Sequence, residues 1–183
     1  MKYIFRFLLF VFLLPVLPAA GKEYPTQLLV IGGGASGTTA AIQAARMGIK
    51  TLIVEETEWL GGMLTSAGVA AIDGNHQMPS GLWGEFRQKL YDYYGGPKAV
   101  ETGWVSNTLF EPSVGNKKLK ELASHPNLSI WYKTEWKNIS RTGQKWKAEV
   151  RVNGKPAVVT ADLILDATEL GDVMAFLKIP YRV

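Results

Sequence analysis

The chain has 183 residues, of which 47% are hydrophobic and 20% charged, with a formal net charge of +4 and no cysteine. This balance is typical of a globular chain with one good core. The charge is too small and too scattered to indicate a nucleic-acid partner. The lack of cysteine excludes structural disulfides, a redox-active dithiol and a thiolate zinc site, and no metal site is predicted.

The first 21 residues have the pattern of a secretory signal peptide. Lys2 and Arg6 precede an apolar run over residues 7–17, and small residues follow it, which is the order of an export signal. The run is shorter than the ~20 residues that a membrane span needs. The sequence therefore predicts a mature domain over residues 22–183 that is exported, periplasmic or extracellular. An uncleaved N-terminal membrane anchor is the alternative.

The next elements predict a strand–helix–strand unit. Residues 27–31 are an apolar run that ends in glycines and is typical of a buried strand. The alanine-rich stretch 38–47 predicts a helix that ends at Gly48, and residues 50–56 predict a second buried strand. Because such crossovers are nearly always right-handed and join parallel strands, both strands are expected in one parallel sheet.

Two further helices are predicted in the middle of the chain. Apolar side chains recur at helical spacing over residues 81–94, and the glycines and proline at 95–97 end that helix. Pro112 is suited to the first turn of a second helix, which is expected to extend over residues 112–124.

The last part of the chain predicts strands. Residues 128–141, 145–152 and 155–161 read as an antiparallel meander, in which Asn153-Gly154 is a strong hairpin signal. Residues 162–167 read as another buried strand. This strand is expected to join the parallel sheet, with the meander as a separate layer on it. The predicted fold is α/β, with a parallel sheet, helices and an antiparallel β-meander.

Three glycines form a dinucleotide-binding fingerprint between the first strand and its helix. Gly32, Gly34 and Gly37 satisfy G-x-G-x-x-G. The first glycine permits the tight turn, the second lets the backbone approach a pyrophosphate, and the third lets the helix lie close to the strand. Ala35 and Ser36 lie where helix N-terminal amides face the phosphates. The pattern predicts a Rossmann-like FAD/NAD(P)-binding domain.

Glu55 ends the second strand of this unit. A carboxylate at this position accepts hydrogen bonds from the ribose hydroxyls of the adenosine, and it would repel a 2′-phosphate. Glu56 could take the same role, but Glu55 is preferred because it comes first at the strand end. The cofactor is therefore expected to be FAD or NAD rather than NADP, and the fingerprint alone leaves both open.

Several other segments carry a family resemblance. The stretches "WLGGMLTSAG" (59–68) and "ADLILDATELGDV" (161–173) resemble segments of FAD-dependent oxidoreductases in the glutathione-reductase-like flavoprotein superfamily. The stretches "GLWGEF" (81–86) and "FEPSV" (110–114) resemble further segments of that family. The likeness covers about residues 26–183 and corresponds to the N-terminal, FAD-binding portion of such proteins. It implies FAD as the cofactor.

The resemblance also implies further cofactor contacts. Gly61 and Gly62 would lie beside the pyrophosphate and ribityl chain, with Met63 and Thr65 toward the flavin. Thr168 would lie at the substrate-side boundary of the FAD domain. Turn capping is the alternative interpretation of the two threonines.

The resemblance implies a longer protein with a substrate domain and a second flavin-holding motif. We therefore expect a truncated form that lacks a C-terminal domain or a partner chain. Its predicted function is the FAD-binding portion of an exported oxidoreductase that exchanges hydride or electrons between a small-molecule substrate and flavin, and that is inactive or weakly active alone. The alternatives are an NAD-dependent dehydrogenase domain and a non-enzymatic remnant or partner subunit. No catalytic residue is assigned, although His76 could exchange protons near a flavin.

Overall fold

A computed structural model describes residues 23–74, 77–78, 80–104 and 106–182. The predicted export signal over residues 1–21 and the candidate His76 lie outside the described residues. Within the described ranges, no helix combines the length and apolar character needed to cross a membrane.

The described residues form six strands and four helices, with two short 3-10 turns at Gly62–Leu64 and Pro97–Ala99. In chain order the elements are β1 (Glu23–Ile31), α1 (Ala35–Arg46), β2 (Thr51–Val54), α2 (Gly81–Tyr94), α3 (Pro112–Leu122), β3 (Leu128–Trp131), β4 (Thr134–Thr142), β5 (Lys145–Val152), β6 (Lys155–Asp166) and α4 (Asp172–Phe176).

The six strands form one mixed sheet in the order β3-β2-β1-β6-β5-β4. Strands β3, β2, β1 and β6 are parallel neighbours, whereas β6, β5 and β4 are joined as antiparallel hairpins. The predicted α/β class, with a Rossmann-like parallel sheet, helices and an antiparallel meander, is confirmed.

Strand β1 begins at Glu23, before the predicted residue 27, and β2 ends at Val54, before the predicted residue 56. The predicted division of the later segments into strands needs two corrections. The segment 128–141 forms two strands rather than one, because Lys133 has a left-handed backbone (φ 49°) that interrupts it. The first half becomes β3 beside β2, and only the second half belongs to the meander. Conversely, the predicted strands 155–161 and 162–167 are one continuous strand, β6, which belongs to both parts of the sheet.

The expectation that the meander is a separate layer is wrong, because the meander is hydrogen-bonded to the parallel strands. Strand β6 pairs with β1 along residues 158–166 and with β5 along residues 155–161, so one ladder runs through the whole sheet. The sheet curls, and β4 lies beside β2 although the two are not paired. Ile139 and Val150 of the meander therefore share an apolar cluster with Leu52 of the parallel part.

Helix α1 covers the opposite face of the parallel strands. It begins at Ala35, three residues earlier than predicted, because Gly34 already serves as its N-cap with an extended backbone. Ala41 packs on Val30 and Ile53, which alternate with the strand residues that face the meander. Helices α2 and α3 share a further cluster with the loop that follows β2. This arrangement leaves the carboxyl ends of β1, β2 and β6 at one edge.

Candidate functional site

A cleft of about 230 Å³ opens at the carboxyl ends of β1, β2 and β6. Open α/β sheets bind their ligands at this edge. The cleft is lined by Ile31, Gly32, Gly34, Val54, Glu55, Glu56, Thr57, Gly62, Thr134, Trp136, Ala167, Thr168, Glu169 and Asp172. The structure thus brings five of the predicted cofactor residues, Gly32, Gly34, Glu55, Gly62 and Thr168, into one cavity.

Two fingerprint glycines are required by the packing of the chain itself. A Cβ on Gly32 would lie 2.4 Å from the carbonyl oxygen of Ala167, and the backbone there is left-handed (φ 101°). A Cβ on Gly37 would lie 2.1 Å from the carbonyl oxygen of Gly32. Both distances are far below van der Waals contact, so these positions hold β1, α1 and the end of β6 together.

Gly34 differs because none of the residues that the structure describes requires a glycine there. Its φ is −61°, which any residue adopts, and within the described part of the chain no heavy atom lies within 4 Å of the position that a Cβ would take. That space adjoins the first turn of α1, where Ala35 and Ser36 are exposed. No side chain caps the helix, and its first turn holds no acidic residue. Helix N-terminal amides and open space are what a diphosphate requires.

The Glu55 carboxylate reaches the fingerprint loop, as predicted, but its oxygens are not free. Oε2 accepts a hydrogen bond from the backbone N–H of Gly33 (2.7 Å), and Oε1 accepts two from Thr57, from its N–H (2.8 Å) and its hydroxyl (2.6 Å). Because each carboxylate oxygen can accept two bonds, Oε2 keeps room for a ribose hydroxyl. The sequence interpretation missed Gly33 and Thr57, since a generic G-x-G and a lone threonine carry no signal for this contact.

The paired glycines after β2 pack against the fingerprint. The Gly61 N–H donates to the Gly33 carbonyl (2.8 Å), and Gly61 forms a bridge with Gly34. A Cβ on Gly62 would lie 3.0 Å from the Cα of Gly34. The two loops therefore form one surface, which we call the glycine wall (residues 32–37 and 61–62).

The two residues that follow the paired glycines have different environments. Met63 is 53% exposed, so its side chain is available to a ligand. Thr65 is 1% exposed, and its hydroxyl donates to the Leu60 carbonyl (2.5 Å). For the Thr65 side chain, the structure favours turn support over cofactor contact.

Thr168 lies beside the glycine wall, next to Gly32, in a network of side-chain hydrogen bonds. Its hydroxyl donates to Oδ1 of Asp166 (2.7 Å) and accepts a bond from the N–H of Asp172 (2.7 Å). The other oxygen of Asp166 accepts the N–H of Met174 in α4 (2.8 Å). Asp166 was not singled out from the sequence, where it reads as the end of a buried strand. We call residues 166–176 the Asp166 wall.

The electrostatics of the cleft favour a nucleotide without a 2′-phosphate on its ribose. Among the described residues, the lining of the cleft includes four carboxylates and no lysine or arginine; the carboxylates are Glu55, Glu56, Glu169 and Asp172. A 2′-phosphate near Glu55 would therefore meet like charge. Nearby, burial raises the pKa of Tyr132, and the charge of Glu55 adds to the effect. Among the described residues, no group of three or more acidic or histidine side chains is placed to hold a metal ion.

The fold and the cleft define a Rossmann-like nucleotide-binding protein. The family model for FAD dependent oxidoreductases matches residues 27–183, and the chain belongs to that family. The predicted resemblance is confirmed, and so is FAD as the cofactor. The Gly34 space, the α1 amides and Glu55 fit the ADP half of FAD.

Three known proteins illustrate the relationship. A digeranylgeranylglycerophospholipid reductase of Thermoplasma acidophilum is 26% identical over 156 residues, which cover 77% of this chain and 38% of the reductase. The structure of a flavoprotein/dehydrogenase from Cytophaga hutchinsonii superposes with a TM-score of 0.60 at 18% identity, covering 84% of this chain and 41% of that one. The structure of a p-nitrophenol 4-monooxygenase from Pseudomonas putida superposes with a TM-score of 0.53 at 18% sequence identity. The match covers 81% of this chain and 42% of the monooxygenase. The chain thus spans about two fifths of the length of each.

Proposed function

We propose that this chain holds the ADP half of FAD in an exported flavin-dependent oxidoreductase. The observation that carries the proposal is the unfilled space at Gly34 beside the uncapped start of α1, with Glu55 at the end of the neighbouring strand. The flavin, when bound, supplies the capacity to accept and return a hydride or electrons. The α1 amides hold the diphosphate, and Glu55 orients the ribose.

The same proposal assigns catalysis to residues outside this chain. The described cleft residues bind and orient the nucleotide half of FAD, and the proposal gives the cleft carboxylates no proton-transfer role. Small-molecule sites in multidomain proteins tend to form between domains, and the relatives are more than twice as long as the stretch they share with this chain. A further domain or a partner chain would supply the substrate site.

A flavin-binding measurement with a matched pair of variants tests the first part. Gly34→Val fills the unoccupied space, and we expect FAD affinity to fall about 10- to 150-fold, the loss that follows when one charged hydrogen bond is prevented. Gly74→Ala is the control, because Gly74 also has open space around its Cβ position but lies in an exposed loop away from the cleft. Equal FAD affinity in wild type and Gly34→Val would refute the site.

A turnover measurement tests the second part. The purified chain is loaded with FAD and assayed for reduction of an artificial electron acceptor by a panel of reductants, NADH included. We expect bound flavin without steady turnover. Steady turnover by the chain alone would show that it needs no further domain.

The export part of the proposal rests on the signal pattern of residues 1–21. We expect processing near residues 19–21 and recovery of the protein outside the cytoplasm. N-terminal sequencing of the product decides this. An intact Met1 on a membrane-bound product would favour the anchor.

A further inference from the structure

Trp136 is the one aromatic side chain among the described residues that line the cleft. It is half-buried, and it stands two residues after Thr134, so the two side chains share a face of β4. Thr134 begins β4 beside the end of β2, where its N–H donates to the Glu55 carbonyl (2.9 Å). The indole therefore lies in the part of the cleft that adjoins Glu55.

Two features fix the position of this indole. The register of β4 against β5 shifts between Trp136 and Asn138, and such irregularities re-aim side chains next to functional sites. The ring of Phe176 meets the indole edge-to-face, with 5.4 Å between centroids and 74° between planes. Phe176 ends α4, whose start is tied to β6 through Asp166. The indole is thus braced from the Asp166 wall.

The chemistry of a nucleotide directs its base to this part of the cleft. In the proposed function, the α1 amides take the diphosphate and Glu55 takes the ribose hydroxyls. The base is attached to the same ribose as the diphosphate, at the opposite side of the ring. The base therefore points away from the diphosphate, toward the lining beyond Glu55, which includes Thr134 and Trp136. An aromatic face is the usual partner of a base, because every base presents a π-surface.

We propose that the indole of Trp136, braced by Phe176, is the surface on which the adenine of FAD packs. The inference rests on the proposed function and adds a binding residue to it. In this proposal Trp136 binds the base, and the space at Gly34 accommodates the diphosphate, so the two contributions to affinity can be measured separately.

The experiment uses ADP and inorganic pyrophosphate as probes of the full chain. ADP contains the base, whereas pyrophosphate does not. Affinities are measured by calorimetry, and tryptophan emission is followed during the ADP titration. The first variant is Trp136→Leu, which removes the aromatic surface. The second is Trp136→Phe, which keeps an aromatic ring but removes the emission of Trp136, so that only the other five tryptophans emit. Trp104→Leu is the control, because Trp104 is 95% exposed and does not line the cleft.

We expect ADP to quench the emission of the wild type and of Trp104→Leu but not that of Trp136→Phe. ADP affinity should fall about 5- to 150-fold in Trp136→Leu, with pyrophosphate affinity unchanged and a smaller loss in Trp136→Phe. A merely structural role for Trp136 would weaken both probes alike.

Unchanged ADP affinity in Trp136→Leu, or unchanged quenching in Trp136→Phe, would overturn the inference and leave the proposed function intact. Failure of the wild type to bind ADP and FAD would refute both. Should Trp136→Leu fail to fold, the quenching in Trp136→Phe decides.

Discussion

The glycine wall and the Asp166 wall lie side by side at the ends of β1 and β6 and line the same cleft, but they are held by different forces. The glycine wall depends on close backbone approach, since a Cβ on Gly32 or Gly37 would enter the space of a carbonyl oxygen. The Asp166 wall depends on side-chain hydrogen bonds from Asp166 and Thr168. Any side chain larger than hydrogen would clash at Gly32 or Gly37, whereas in a hydrogen-bonded turn one acceptor atom can replace another. Substitutions at Gly32 and Gly37 should therefore be far more costly than substitutions in the Asp166 wall.

The largest effect is expected from Gly37→Ala. Its Cβ would lie 2.1 Å from the Gly32 carbonyl oxygen and 2.8 Å from the Cβ of Ala167, so α1 has to move away from the sheet. We expect the free energy of unfolding to fall by about 3 kcal/mol or more, at the upper end for overpacked sites. Urea denaturation measures the loss. Gly34→Ala is the matched control within the same wall, and its cost should stay within about 1 kcal/mol.

Equal losses in these two variants would break the distinction between structural and ligand-facing glycines. Gly34→Ala should weaken FAD binding while leaving the fold intact. Gly37→Ala should weaken binding only to the extent that it unfolds the chain.

The next effect concerns the carboxylate that joins the glycine wall to the ribose. Glu55→Ala should reduce FAD affinity about 10- to 150-fold, as expected when a charged acceptor is lost. It should also lower stability, because the Gly33 and Thr57 donors lose their acceptor. Fluorescence titration and urea denaturation measure the two losses. Glu56→Ala is the control, and a larger loss of affinity in that variant would transfer the ribose role to Glu56.

A smaller effect is expected in the Asp166 wall. Asp166→Asn keeps an oxygen acceptor but places an amide group where the second oxygen accepts a bond. We expect a loss of about 1–2 kcal/mol in stability, with faster hydrogen exchange at residues 168–176. Asp162→Asn is the control, because Asp162 is exposed on the same strand and pairs only with Lys145 among the contacts described. A loss as large as that of Gly37→Ala would mean that the two walls are equally rigid.

The smallest effect is expected at an ion pair outside both walls. Arg46 and Glu85 join α1 to α2 through two hydrogen bonds of 2.7 Å, and their side chains are 34% and 42% exposed. The hydrogen bond from Arg46 lowers the pKa of Glu85, and burial opposes it. The pair therefore stabilises the fold at neutral pH and loses this contribution as the pH falls through the lowered pKa of Glu85. Exposure and salt limit it to about 0.2–1 kcal/mol.

Denaturation of Glu85→Gln at neutral and acidic pH measures this contribution. The difference from wild type should vanish at low pH and in high salt, and FAD affinity should not change. A change in FAD affinity would show that the ion pair is coupled to the cleft. The pair could then not serve as the reference site with which substitutions in the two walls are compared.

The sequence by itself determined the strand–helix–strand start, the G-x-G-x-x-G loop, Glu55 and the family. Each of these depends on residues close together in the chain, where spacing fixes the geometry. Gly32, Gly34 and Gly37 fall within one turn between a strand and a helix, so their roles follow from the fingerprint.

Only the tertiary structure decided which side chains the cleft uses and which it buries. In the folded chain, the Glu55 oxygens accept hydrogen bonds from Gly33 and Thr57. Thr65 is buried in its own turn, and Trp136 of the meander lines the cleft. The continuous β6 joins the meander to the parallel part, since it pairs with both β1 and β5. These outcomes depend on contacts between residues far apart in sequence, which the local spacing of residues does not predict.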